Sequence, residues 1–450
     1  MNQMSWAARS LIATVLAGVL SVGSAATPDQ TVVQNSEGAA LDSISTQATP
    51  FRLTLDQAMG RTLEKHPDLK VFEFTEKTLQ ADADIAAQRP PLVAGLRMQN
   101  ALGTRETTGF KNAEIALTLA SVLERSGKRE ARQVVSASRI DALGAAREAK
   151  RLDLLAEVAR RYLEVVAAQA SVTIAELDIA QRERTVAAAT KRVQAGASPE
   201  SARLTADALR ARAEIDRARG KREISGAYRR LAILWNERDP ATTPVAGNIL
   251  ALPEAPNFSV LTALLERSPE LKRFADETRI REARLQLARS ARTADFNWEI
   301  GVQRLQDFGS SWGVLAGVTV PLGASRRAEP EMRAAESERQ ALGLERESSE
   351  LTLYATLAQA HSEYVTAKAE AEACRDDLLP RLKLAEAAAE HAYRAGALSY
   401  LEWAQVQSET MAVRKQQLSA ALEAQRALIE IQRLTGDPFI NSAALKDPVP

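Results

Sequence analysis

The chain has 450 residues, 26% of them charged and only 4% aromatic, and its 58 basic side chains balance its 58 acidic ones. That balance gives no argument for electrostatic binding to nucleic acid. The scarcity of aromatics, beside long tracts of Ala, Glu, Arg, Leu and Gln, argues for long helices rather than a compact α/β core.

Residues 1–26 read as a secretory signal peptide. Arg9 precedes an apolar run over 11–22, and Ser24-Ala25-Ala26 supplies small residues for cleavage. The run is too short for a spanning helix. No cysteine follows the cleavage point to take a lipid anchor; the single cysteine, Cys374, excludes an intrachain disulfide and reads as a small packing residue. Residues 27–50 are expected to be flexible.

From there the chain repeats itself. LEKHPDL (63–69) matches LERSPEL (265–271), and YLEV (162–165) matches YVTA (364–367), both at an offset of 202. Gly196 matches Gly396, and Leu234 matches Leu434, each leucine standing shortly before an Asp-Pro pair. Four matches in one order indicate a tandem duplication. The first repeat covers 51–238, a Pro- and Gly-containing linker 239–257, the second repeat 258–438, and a tail 439–450.

Each repeat opens with a helix, over 54–88 and then 260–289. His66, before Pro67, marks a helix break. Alternating segments follow, predicting β-hairpins at about 92–120 and about 295–321. In the first, Leu92, Ala94, Leu96 and Met98 alternate with other residues, then Ile115, Leu117 and Leu119. In the second, Phe296, Trp298, Ile300 and Val302 share a face, as do Trp312, Val314, Ala316, Val318 and Val320, with a tight turn at DFGSS (307–311). A helical tract of about 70 residues then runs to each glycine and would be roughly 100 Å long. A further helix follows each glycine. Apolar stripes at spacings of three and four mark these tracts: Leu152, Leu155, Val158, Tyr162 and Val165, then Leu351, Tyr354, Ala358, His361 and Val365. Such stripes ask for partner helices.

Strands of about ten residues with one apolar face and Trp near their ends fit transmembrane β-strands. Alternation alone fits an ordinary half-exposed hairpin equally well. An exported chain without disulfides cannot bury four such faces, and an open sheet has edges that lipid does not tolerate. Copies must pool their strands, and three copies would give twelve. The fold class expected is therefore mainly α with a transmembrane β-barrel.

The order of two strands, long helix, glycine turn and helix, duplicated, resembles the TolC-like outer-membrane efflux proteins over about 51–439. LTLASVLERSGKREARQ (117–133) and VTVPLGASRRAE (318–329) resemble the strand end and helix start of outer-membrane components of cobalt–zinc–cadmium efflux pumps. The family more often has an aromatic after Pro-Leu. The resemblance implies a homotrimer, a twelve-stranded barrel in the outer membrane continued by a periplasmic α-helical barrel. It also implies a periplasmic adaptor and an inner-membrane proton-driven pump as partners, with no nucleic acid.

Catalytic chemistry is missing. His66, His361 and His391 have no companions at metal-ligand spacing. His361 lies on an apolar stripe and reads as a packed interface residue. ERSGKRE fails as a phosphate loop because Val122 stands where Gly is needed and Arg129 replaces Ser or Thr. No enzyme activity, cofactor or resident metal is expected. In the family, acids six and nine residues past the second glycine face a pore constriction; here those positions are Glu402 and Gln405. Three copies of Glu402 would favour cations. At the turns, Ser198-Pro199 and Ser399 are expected to restart the helices, Ser as N-cap and Pro at the first helical position. The turns themselves, Gly196, Ala197 and Ser198 with Gly396, Ala397 and Leu398, are the expected adaptor-docking tips. Trp298, Ile300, Val302, Trp312, Val314 and Val318 are the expected lipid-facing residues. Multidrug or protein-secretion ducts are alternatives within transport; a soluble periplasmic coiled-coil adaptor or scaffold is the alternative from another class.

Overall fold

The computed structural model describes residues 52–105, 108–110, 112–254, 257–305 and 311–437. The expected signal peptide, the segment 27–50, the second hairpin's turn at 306–310 and the tail 439–450 lie outside the described residues. No helix among the described residues is long and apolar enough to cross a membrane.

Each repeat opens with two helices: α1 (Leu55–Lys65) and α2 (Pro67–Ala87), divided at His66 as expected, then α5 (Phe258–Leu265) and α6 (Pro269–Ser290), where a single helix was expected. The cause is the same in both. A proline pushes the residue before it out of the helical region, so His66 and Ser268 are extended and cap the helix that follows. His66 Nδ1 accepts the Asp68 N–H at 3.2 Å, and Ser268 Oγ accepts the Leu271 N–H at 3.3 Å. Thr54 and Gln57 close a reciprocal capping box on α1.

Four strands follow in two pairs: β1 (Val93–Gln99) and β2 (Glu114–Leu123), then β3 (Phe296–Leu305) and β4 (Ser311–Thr319). They form one antiparallel sheet in the order β1-β2-β3-β4. The middle junction, β2 to β3, joins the two repeats.

The long helices are α3 (Lys128–Gln194), α4 (Glu200–Ala232), α7 (Ala324–Ala373), α8 (Leu379–Ala395) and α9 (Tyr400–Thr435). At 67 residues α3 is roughly 100 Å long. Its counterpart in the second repeat is divided. Pro380 has no N–H for the turn behind it, and the chain passes it through one wide π turn at Cys374–Leu378. The helices α2, α3, α6 and α7 pack side by side in that order. This repeats the order of the strands they adjoin.

The core lies where the two repeats and the linker meet. Leu53 bridges Val245, drawing the start of the first repeat onto the linker. Tyr162 on α3 and Tyr364 on α7, equivalent under the duplication, are both buried. Tyr162 donates its hydroxyl to the carbonyls of Leu53 (2.8 Å) and Ala246, and Tyr364 donates to that of Pro253. Arg433 on α9 reaches Asp153 on α3 at 3.0 Å and Glu270 on α6 at 2.9 Å, tying both repeats by charge.

The stripe expected on α3 is buried from Leu155 through Val165. The one expected on α7 is not: Leu351 is 66% exposed, and Tyr354 and Val365 are exposed too. The packed stripe is Leu353, Leu357, Ala360, Tyr364 and Ala367. Helix α7 thus carries two apolar stripes; its own chain fills one and meets the other at Phe258, against which Tyr354 rests at 5.6 Å. His361 rests against the Phe258 ring at 5.4 Å, a packing role.

Candidate functional site

Two regions carry the candidate residues: one face of the sheet and the two helical turns at the far end of the long helices.

Register decides the sheet face. Trp298 pairs with Val318, Ile300 with Ala316, Val302 with Val314 and Arg304 with Trp312. Across the other junction Leu119 pairs with Ile300 and Leu117 with Val302. In β1, Leu96 and Met98 continue the row. Apart from Ser121 and Arg304, one face is therefore apolar across all four strands, and most of it is exposed; Val314 is 83% accessible. The two tryptophans sit at opposite ends of it. Trp298 lies six residues along β3 from Arg304, the partner of Trp312, which is about 20 Å. A transmembrane barrel's apolar band is about 25 Å tall with aromatic girdles.

The opposite face mixes polar residues, such as Arg97, Thr118, Glu299 and Gln303, with small ones. Gly95, Thr118 and Gly301 stand in one cross-strand row. A Cβ on Gly301 would come 2.5 Å from the Leu117 carbonyl oxygen and 2.8 Å from Thr118 Cγ2. The glycine lets β2 and β3 close over the threonine. Arg97 and Glu299 face each other on this side at 3.9 Å.

The two turns have one geometry. Gly196 has φ +67 and Gly396 φ +84, the left-handed conformation. Ala197 donates to the Arg192 carbonyl at 2.8 Å, and Ala397 to the Ala392 carbonyl at 2.9 Å. Gly196 and Gly396 donate to Val193 (2.9 Å) and Tyr393 (3.1 Å). This is the Schellman closure in both. The helix restarts differ. Ser399 caps α9 as expected, whereas α4 has Pro199, not Ser198, at its N-cap and no side-chain cap.

Arg192 connects the two turns. It donates to the Tyr393 carbonyl and, at 3.2 Å, to the Ala197 carbonyl. Its guanidinium lies 4.8 Å from the Tyr393 ring centre, and Tyr393 stacks on Trp403 at 5.0 Å. Ala189, Ala206, Ala389 and Tyr400 complete this small core. Two turns deeper is a buried polar layer between α3, α8 and α9. Arg182 donates to Asp178 (3.0 Å), Gln407 (3.4 Å) and Ser408 (3.1 Å), and Gln407 donates to Thr185 at 3.0 Å. Gln181 donates to Glu386, whose carboxyl is pushed up by burial. Neither Arg192 nor this layer was foreseen; their partners lie about 200 residues away with no local pattern to mark them.

Glu402 is exposed and engaged. Its Oε2 accepts the Ser399 N–H at 2.9 Å and the Ser399 hydroxyl at 2.8 Å, and its own N–H donates to Ser399 Oγ at 3.4 Å. These bonds hold its carboxyl below the usual range. Gln405, one turn on, is exposed on the same side, and so is Glu409. Leu398 packs into the turn core. Among the described residues, no group of His, Cys, Asp and Glu is arranged to hold a metal ion.

Comparison with known proteins agrees with this architecture. The family model "Outer membrane efflux protein" matches residues 58–237 and 260–437, one match for each repeat. The cobalt-zinc-cadmium resistance protein CzcC of Cupriavidus metallidurans is 26% identical over 336 residues, 74% of this chain and 78% of that one. A solved membrane protein from Pseudomonas aeruginosa has a TM-score of 0.69 at 21% identity, covering 85% of this chain and 90% of its own. The outer membrane protein VceC from Vibrio cholerae has a TM-score of 0.68 at 17% identity, covering 86% of this chain and 97% of its own.

Proposed function

Because the chain belongs to the outer membrane efflux protein family, a family of channels and not of enzymes, we propose that it is the outer-membrane duct of a tripartite efflux system. In this reading it exports heavy-metal cations together with a periplasmic adaptor and an inner-membrane proton-driven pump.

The observation that carries the reading is the sheet. Its apolar face is exposed over four strands, and β1 and β4 are edges without a partner among the described residues. Lipid tolerates the face but not the edges. Pairing β1 of one copy with β4 of the next closes a barrel, and three copies give twelve strands. The helices favour the same seam. β1 follows α2 and β4 precedes α7, so the seam sets α2 beside α7 of the next copy. Val71, Phe74 and Ile85 on α2 and Leu344, Leu351 and Val365 on α7 are exposed apolar residues. The residues of α2 offer a partner to the exposed members of the second stripe of α7.

Cysteines at Val93 and Thr319 in a Cys374→Ser background test the closure. Trimers on non-reducing gels that collapse on reduction are expected. Release of the protein from membranes by salt without detergent would instead leave a soluble scaffold.

The cargo assignment rests on the resemblance of LERSGKRE and on the relative named for cobalt, zinc and cadmium resistance. A deletion strain should become sensitive to those metals. Sensitivity to detergents and dyes alone would make it a drug duct. At the far end, the turns Gly196-Ala197-Ser198 and Gly396-Ala397-Leu398 would meet the adaptor, their small residues allowing close end-on packing. Glu402 would ring the constriction, with Gln405 below it.

A further inference from the structure

Five arginines stand along one rim of the sheet. Register places Val93, Leu123, Phe296 and Thr319 at the same edge, the one joined to the helices. Every strand–helix junction there carries arginine: Arg89 before β1, Arg125 after β2, Arg292 before β3, and Arg326 with Arg327 after β4. All five are exposed, and none forms an ion pair among the described residues.

The neighbouring acids are matched elsewhere. Glu124 takes Arg132 in a bidentate pair at 2.6 and 2.8 Å, Asp295 takes Lys128 at 2.7 Å, and Glu130 takes Arg129 at 3.1 Å. Glu329, the next acid along α7, pairs with neither Arg326 nor Arg327 among the described residues. Helix stability does not call for these arginines either. The first turn of α7 holds Arg326 and Arg327 and no acid, the reverse of what the helix dipole favours.

Position supplies the purpose. The Arg125 guanidinium lies 4.6 Å from the Phe296 ring centre. Phe296 shares the face of Trp298, Ile300 and Val302, so this charge stands on the apolar side. Leu92, Leu123 and Leu322 are exposed in the same junctions, Leu322 by 88%. Apolar side chains beside free guanidinium groups form an amphipathic border. Guanidinium binds phosphate through paired N–H donors, and its stem covers apolar surface.

We infer that this rim is an arginine belt that grips the phosphates of anionic phospholipids in the periplasm-facing leaflet. The inference rests on the reading that the sheet lies in the outer membrane.

The test uses the full chain reconstituted in phosphatidylcholine vesicles containing a minor share of phosphatidylglycerol. The readouts are flotation with the vesicles and enrichment of phosphatidylglycerol in the lipid retained after mild detergent extraction. Each arginine near an anionic surface is worth about a fivefold preference. The wild type should enrich phosphatidylglycerol, and the five-site Arg→Gln variant should lose roughly tenfold or more of that enrichment. The five-site Arg→Lys variant should keep most of it. The double variant Arg326→Gln, Arg327→Gln repeats the test on one exposed helical turn should the full set fail to fold.

Flotation without enrichment, or a glutamine variant as enriched as the wild type, overturns the belt and leaves the duct intact. Binding of inorganic phosphate to the detergent-solubilised wild type that the glutamine variant abolishes, with no enrichment of phosphatidylglycerol, assigns the arginines to a free anion and overturns it as well. So does unchanged enrichment with lost adaptor co-purification, which assigns them to a protein. Failure of the wild type to float overturns the membrane reading itself.

Discussion

Arg192 on α3 donates a hydrogen bond to the backbone carbonyl of Tyr393 on α8, and its guanidinium lies 4.8 Å from the centre of the same residue's ring. One side chain thus joins the end of the first long hairpin to the end of the second, through a helix-terminal carbonyl and an aromatic face together.

Arg192→Ala should loosen both turns by about 1–3 kcal/mol, the range of a charge-assisted bond plus a stacked cation. Hydrogen exchange at 195–199 and 395–399 should accelerate while the core near Tyr162 stays protected. Arg192→Lys should recover little, because an ammonium offers neither the fork nor the plane. Equal protection in all three proteins would remove the clasp.

The sheet offers a paired test of faces. Val314→Arg places charge on the exposed apolar face and should cost about 2–4 kcal/mol of insertion if lipid covers it. Leu315→Arg, on the other face of β4, should be tolerated. Vesicle flotation of the two variants distinguishes them. A soluble scaffold would show the reverse ranking or none.

Two glycines make a second pair. Gly301→Val forces a Cβ against backbone at 2.5 Å, whereas Gly317 has nothing within 4 Å of that position. The first substitution should sharply reduce the yield of folded protein, and Gly317→Ala should leave it near normal. Equal yields would mean that β2 and β3 do not approach this closely.

Glu402 can be separated into its two roles. Gln at the same position can still accept from Ser399 but carries no charge. Glu402→Gln should therefore preserve α9 while lowering the cation selectivity of single channels; unchanged selectivity would end the charge-ring role. Acid gives a second check. The carboxyl is held below its ordinary value by the Ser399 N–H and hydroxyl. Its folded pKa is depressed, so the stability it adds is present above the unfolded pKa and lost as pH falls through the folded one. Selectivity should persist at mildly acidic pH and fail only below the usual glutamate range.

Tyr162→Phe removes a buried hydroxyl shared by the carbonyls of Leu53 and Ala246. Losing this donor, with the Leu53 carbonyl keeping only the Ala246 N–H at 2.9 Å, should cost about 1–3 kcal/mol, read as a lowered melting temperature. Tyr364→Phe should behave alike through Pro253.

Much of this arrangement is written locally and was readable. The glycine turns announce themselves because left-handed backbone needs glycine, and the strand faces because alternation has a period of two. Ser399-x-x-Glu402 is itself a capping-box pattern, a local signal for the role that the pore reading passed over. The second helix break hides in LERSPEL, where Ser268-Pro269 reads only as one motif of the repeat. Other features are not local. Periodicity shows that α7 has apolar stripes, but which stripe its own chain fills depends on α5 and α9. Arg192 is one arginine among many until Tyr393 arrives from 201 positions along the chain.

The β2–β3 junction has a consequence in time. It pairs Leu123 with Phe296 and Ile115 with Arg304, so its two strands are made far apart during synthesis. Each hairpin can close on its own from local contacts, but the junction must wait for the second, and such distant pairing is slow. Until then β2 is a long, apolar, unpaired edge, the kind of surface that pairs with the wrong chain. The duplication that gives the molecule its symmetry thus also sets an interval during which half of it needs keeping apart from its neighbours.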